Sequence, residues 1–229
     1  MENKNNTLLL AVGLVVLAGG IYFTYTQNSN TSTQNGNSES TVLPAATVAE
    51  TTVTPSATPN PEDMGKYLVK SGEASYTVNK KFVGKPAGKV TGSTSSVTGK
   101  GEYDETKGTL SLKAEVDITA LKTDSDMRDA DVRKIFGENK TATFMVNDFA
   151  VKKDANIDTS VKGNLTLNNV TKPVEFKITG TWNENTVNVE GMTTINMQDY
   201  NITPPSVVNV YTVDPMTELK FKVIAELNQ

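Results

Sequence analysis

The sequence predicts an all-β, antiparallel domain of about 165 residues with one short helix, preceded by an apolar N-terminal segment and a polar linker. Three observations predict it. Apolar and polar residues alternate with a period of two from Ser75 onward. Short Gly, Asn and Asp turn signals separate these runs. Composition changes near residue 63, with Asn, Thr, Ser and Pro dominating before it and a mixture of charges with Val, Ile, Leu, Phe and Tyr after it.

The N-terminal segment, residues 1–26, carries an uncharged run from Thr7 to Thr26. About twenty apolar residues at 1.5 Å rise match a hydrocarbon core of ~30 Å. Lys4 precedes the run and no basic residue follows it until Lys66, so the positive-inside bias favours a cytoplasmic N-terminus. The expectation is a transmembrane helix that anchors the chain to the membrane and leaves the C-terminal domain extracytoplasmic. A cleaved signal peptide ending near Ala18 is the alternative, and it also exports the domain. Residues 27–63 lack large apolar clusters and contain several Pro, which predicts a disordered tether. As a flexible coil its reach is on the order of 35 Å.

In the third segment, 64–229, the run Thr109 to Ile118 places Leu110, Leu112, Ala114, Val116 and Ile118 on one face and Ser111, Lys113, Glu115 and Asp117 on the other. The same alternation recurs at Val161 to Leu167, Val174 to Ile178, Val187 to Val189 and Leu219 to Leu227, and more weakly at Ala74 to Phe82, Ser96 to Tyr103 and Thr141 to Val151. Lys107-Gly108, Lys153-Asp154, Asn168-Asn169 and Asn183-Glu184-Asn185 read as hairpin turns. Strands with one apolar face have two main solutions, a closed barrel or a two-sheet sandwich. Asp124 to Gly137 breaks the pattern. Met127, Val132, Ile135 and Phe136 at helical spacing, with Gly137 following, predict a short helix placed as a lid over one barrel mouth.

Composition excludes several functions. The chain has no Cys and no His, which removes thiol nucleophiles, imidazole bases and the usual zinc sites. Of 22 basic and 26 acidic residues, Lys4 and five acids lie in the first 63 positions, so the remainder balances at 21 of each. A balanced domain gives no field to attract nucleic acid. No nucleophile and base stand together, so a binding protein is expected rather than an enzyme, with no cofactor. The acidic run Asp124, Asp126, Asp129 and Asp131 lacks the Gly and terminal Glu of a calcium loop and suits a helix N-terminus instead.

Three stretches resemble the YceI-like family of bacterial exported lipid-binding proteins. They are Val116-Asp117-Ile118 with Met127 to Arg133, Ile135 and Phe136; Gly163-Asn164-Leu165-Thr166-Leu167-Asn168-Asn169-Val170-Thr171-Lys172-Pro173-Val174; and Thr194-Ile195-Asn196 with Asp199-Tyr200. The chain departs from the family pattern at Asp131, Met197 and Asn201. The resemblance implies an eight-stranded antiparallel lipocalin-like β-barrel that holds a polyisoprenoid or fatty-acyl lipid, and a homodimer as the assembly.

The expected interior contacts are Leu112, Ala114, Val116, Phe144, Val146, Leu165, Leu167, Phe176 and Ile178. The same side chains would simply fill a solid barrel, because eight strands enclose either a packed core or one small ligand. Arg128 and Asp129 are candidates for head-group contact at the mouth, or for a structural pair that fastens the helix to the rim. The alternative function is a ligand-free structural or adhesion barrel at the cell surface.

Overall fold

The computed structural model describes residues 61–63 and 65–229, together with the backbone of two short strands, Val16–Leu17 and Gly20–Ile21. These two strands pair antiparallel, so at those four positions the chain is extended where a helix was expected. The rest of the expected anchor, and residues 27–60 of the expected linker, lie outside the described residues. Among the described residues no helix is long and apolar enough to cross a membrane. Residues Pro61–Asp63 form a 3-10 turn, and the Asp63 carbonyl accepts a hydrogen bond from the Asn228 side chain at 3.1 Å. The ordered domain therefore takes in the last residues of the segment expected to be linker.

The domain is an antiparallel sheet of nine strand segments: β1 (Tyr67–Phe82), β2 (Ala87–Thr94), β3 (Val97–Asp104), β4 (Thr109–Asp117), β5 (Thr141–Ala150), β6 (Asn156–Leu167), β7 (Val170–Asn183), β8 (Thr186–Asn196) and β9 (Tyr211–Leu227). Pairing of β9 with β1 closes the sheet on itself. Segments β2 and β3 both pair with β1 in a single register and are separated only by Ser95 and Ser96. They act as one interrupted strand, so the barrel has the expected eight staves. Closure removes the open edges that would otherwise invite pairing with other chains.

The first stave begins at Tyr67, earlier than the alternation from Ser75 suggested. Its bulge explains the difference. Between Ser71 and Val69 the register against β9 slips by one residue, which reverses the in-and-out parity that sequence reading relies on.

The turns carry left-handed residues where hairpins require them: Gly108, Asp154, Asn168, Asn169 and Glu184 all have positive φ. Two left-handed residues in succession at Asn168-Asn169 make the tight connection of β6 to β7. Helix α1 (Asp126–Phe136) starts on Ser125, whose side chain accepts from the Arg128 amide, and stops at Gly137 with φ of 53°. It lies between β4 and β5, at the end of the barrel that also carries the β1–β2, β6–β7 and β8–β9 connections. Two apolar clusters fill the two ends. Val78, Ile118, Leu165, Leu167, Ile195, Met197, Tyr200 and Ile202 lie toward the helix end, and Tyr67, Ile157 and Trp182 toward the other.

Candidate ligand-binding site

Alternation points one row of each strand into the barrel, and the row is mainly apolar, with Thr94, Thr217 and Lys80 among its polar members. All nine residues expected in the interior lie on it. Cross-strand partners show this directly: Leu112 faces Gly101 and Val146, Ala114 faces Gly99 and Phe144, Val116 faces Val97, Phe144 faces Leu165 and Val161 faces Phe176. They differ in burial. Val146, Leu165, Leu167 and Phe176 are buried, whereas Leu112, Ala114, Val116, Phe144 and Ile178 are only half-buried although they face inward. Four of the five lie on β4 or its neighbour β5, and the adjacent strand β3 offers Gly99 and Gly101 beside them; Ile178 stands apart on β7.

An aromatic row crosses the interior. Phe144 and Phe176 meet edge to face at 5.0 Å, and Phe176 and Phe221 at 5.4 Å. Two of these rings lie against glycine. A Cβ on Gly163 would come within 2.5 Å of the Phe144 ring, and one on Gly191 within 2.5 Å of Phe221. Glycine at these positions lets each ring lie close against the wall, where any larger residue would collide with it. Phe221 was not among the residues singled out from sequence, although its alternation with Leu219 and Val223 places it on the same face.

One end of this apolar interior is sealed. Trp182 is 1% exposed and is gripped edge to face by Tyr67 at 5.1 Å and Tyr103 at 5.0 Å. Its indole N–H donates to the Tyr67 hydroxyl at 3.2 Å. The Tyr103 hydroxyl donates to the Val151 carbonyl at 3.3 Å. An apolar plug with its polar tips satisfied is stable against water.

The other end is covered by α1 and held by charge. Asp129, 1% exposed, accepts from both the amide and the hydroxyl of Thr123, at 2.8 Å and 2.7 Å, and Lys122 Nζ lies 3.6 Å from its second oxygen. Burial alone would raise this carboxyl. The two Thr123 bonds, with Lys122 and Arg133 nearby, outweigh it and hold the group below the ordinary carboxylate range. Asp129 thus fastens the helix. Arg128 does not pair with it but with Asp124, one turn earlier. Among the other acids of this run, Asp131 bonds Lys134 at 3.2 Å; no group of three or more metal-ligating side chains is present among the described residues. Ile135 and Phe136 pack against the core of the helix end, while Met127, expected on the apolar face, is exposed.

Two cations meet at this mouth. Lys80, on the inward row of β1, sits over the Tyr211 ring at 3.7 Å and the Phe82 ring at 4.8 Å. Burial, and then the nearby Arg128 charge, lower its ammonium from the ordinary value. Tyr76, one inward position deeper than Val78, is raised first by burial, with Arg128 opposing and Asp129 reinforcing the shift. The Tyr200 hydroxyl is buried near the same end without a hydrogen-bond partner among the described residues. Neither Lys80 nor Tyr76 was singled out from sequence, because a lysine in the row of Tyr76 and Val78 weakens the alternation from Ala74 to Phe82. Asn201, which stands at a position where the family pattern has Gly, has φ of 56° and ends the 3-10 turn Met197–Tyr200. The left-handed conformation is kept with a residue that tolerates it.

A separate cleft of about 440 Å³ opens at the interruption between β2 and β3, lined by Glu73, Ser93, Ser95, Ser96 and Lys122 among others. Glu73, Lys122 and the serines in its mixed lining distinguish it from the barrel interior.

The YceI-like domain profile matches residues 67–225. Over 105 residues the chain is 31% identical to UPF0312 protein PSPA7_0523 of Pseudomonas paraeruginosa, a match spanning 43% of this chain and about half, 52%, of that relative's length. Among solved structures, a polyisoprenoid binding domain from Saccharophagus degradans, implicated in plant cell wall breakdown, superposes with a TM-score of 0.57 at 13% identity, over 72% of this chain and 99% of that one. Burkholderia cenocepacia BcnA superposes with a TM-score of 0.50 at 18% identity, over 66% of this chain and 95% of that one. At these identities the likeness establishes the barrel, and with a domain profile aligned from the first stave to the last, the chain belongs to the YceI-like family.

Proposed function

We propose that the protein is a membrane-tethered, extracytoplasmic binding protein that holds a long apolar lipid, a polyisoprenoid or a fatty-acyl chain, inside the barrel, and that it is not a catalyst. The observation that carries this reading is the inward row itself: Leu112, Ala114, Val116, Phe144 and Ile178 face the interior yet keep accessible surface. A solid barrel would bury them as it buries Val146 and Leu165. The sealed Trp182 end gives the chain a terminus to rest against. The opposite end offers Lys80 and Arg128 to an anionic head group, with the Tyr200 hydroxyl nearby. The tether follows from the apolar run Thr7–Thr26, and the ligand class from the named activity of the Saccharophagus domain.

Binding driven by methylene burial gains ~0.8 kcal/mol per CH₂, roughly fourfold in affinity, until the interior is full. Native mass spectrometry after mild extraction tests the reading, followed by titration with acyl chains of increasing length. A co-purifying lipid and affinity that climbs with length and then levels are expected. A barrel that emerges empty and refuses every chain length overturns the proposal and leaves a solid structural or adhesion barrel.

A further inference from the structure

At the helix end of the barrel two turns stand side by side and present valine to solvent. In the first, the Lys85 amide bonds the Phe82 carbonyl at 3.2 Å across Val83 and Gly84, with Gly84 at φ of 72°. In the second, the Val210 amide bonds the Val207 carbonyl at 3.0 Å across Val208 and Asn209, with Asn209 at φ of 62°. In both, the left-handed residue takes the third position and a valine occupies the corner before it. The turns are joined, because the Val83 amide donates to the Val210 carbonyl at 3.0 Å. Val83 is 68% exposed and Val208 is 86% exposed, with Val207 and Val210 also open beside them. Turn corners are ordinarily polar, so four clustered exposed valines mark a contact surface.

The charge around them identifies the partner. Residues 64–229 are balanced overall, yet residues 79–91 carry Lys80, Lys81, Lys85 and Lys89 and no acid, while residues 203–213 carry no charge at all; Asp214 is the first acid beyond them. Lys81, Lys85 and Lys89 are exposed; the Glu218 carboxyl is lowered chiefly by its hydrogen bond from Lys220, with Lys89 adding a lesser attraction. An apolar tip with the exposed Lys81 and Lys85 beside it complements an anionic bilayer surface, where valines enter the head-group region and ammonium groups remain at the phosphates. We infer that the joined turns Phe82–Lys85 and Val207–Val210 are a docking tip for membranes containing anionic lipid. This goes beyond the carrier reading and does not depend on what the barrel holds.

The chain has no cysteine, so single labelling sites can be introduced. Full-length protein carrying an environment-sensitive fluorophore at Val208→Cys is mixed with vesicles of phosphatidylcholine and phosphatidylglycerol that contain a lipid-borne quencher. The same label at Thr106→Cys, in the turn between β3 and β4 at the opposite end, reports any insertion unrelated to the tip. The expected result is a blue shift and quenching at position 208 and neither at 106. Charge reversal by Lys81→Glu with Lys85→Glu lowers the docked fraction at least about tenfold, with an unchanged melting temperature. Equal signals at the two positions, no signal at 208, or indifference to the charge reversal overturns the inference. So does a blue shift at 208 without lipid accompanied by a doubled hydrodynamic mass, which means that a second copy covers the tip.

Discussion

The two ends of the barrel are closed by different chemistry. At one end Trp182, Tyr67 and Tyr103 interlock as rings, and the Trp182 and Tyr103 donors are satisfied within the plug. At the other, α1 is held down through one buried carboxylate and Thr123, beside Lys80 and Arg128. Ring packing gains its stability from area removed from water and is insensitive to pH. A charged fastening depends on a protonation state and on keeping its partners. The plug is built to stay, and the helix is the end that can be released.

The aromatic plug should be the stronger of the two closures. Trp182→Ala is expected to destabilise the domain by about 3–5 kcal/mol in urea denaturation, since it removes the largest buried side chain and leaves a cavity. A loss below about 1 kcal/mol would show that the rings do not seal that end.

Asp129→Ala tests the opposite end and is expected to cost less, about 1–3 kcal/mol, because it strands the Thr123 amide and hydroxyl. Its effect is local. Amide hydrogen exchange should rise across Asp126–Phe136 while the fluorescence of Trp182 stays unchanged.

Acid sharpens the same point. The Asp129 carboxyl is depressed in the folded state, so its contribution is fully present above the unfolded carboxylate value of about 3.9 and is lost as pH falls through the lower folded value. Exchange across α1 should therefore accelerate below about pH 4, and Asp129→Asn should abolish that acid limb. Persistence of the limb in the variant would assign it to another carboxylate.

Arg128→Ala should change stability by no more than about 1 kcal/mol, as its pairing with Asp124 is largely solvent-exposed. In the carrier reading it lowers affinity for an acyl phosphate by roughly tenfold but not for the neutral alcohol of the same length. Equal losses for both ligands would remove Arg128 from the mouth. The smallest effect is expected for Tyr200→Phe, which deletes a buried hydroxyl without a partner and should leave stability within about 0.5 kcal/mol of the parent.

Much of this architecture is legible in the sequence because period-two alternation, once aligned with its turns, assigns side chains to faces. Leu110 to Val116 and Leu219 to Leu227 do so without interruption. The interior residues of β4 through β7 could be named for that reason. The first stave is less legible. Its bulge hides the parity of the stretch from Tyr67 to Ser71, and the alternation from Ala74 to Phe82 reads weakly because Lys80 occupies the row that Tyr76 and Val78 share. Arg128 and Asp129 were identifiable as a charged pair, but their different partners depend on tertiary contacts with Thr123 and on the helical spacing to Asp124. The valine tip is hidden by averaging. Residues 64–229 balance their charges, and only the joining of two turns distant in sequence gathers exposed valines beside Lys81 and Lys85.

The staves are also joined unevenly. Strands β6 and β7 pair from Asn156 to Leu167, whereas β5 and β6 meet only at Thr143–Met145. Like a cask with one short weld, the wall should gape first along that line, and in the carrier reading a bulky branched guest would gain a sideways exit there that leaves both the tryptophan floor and the helical cover undisturbed.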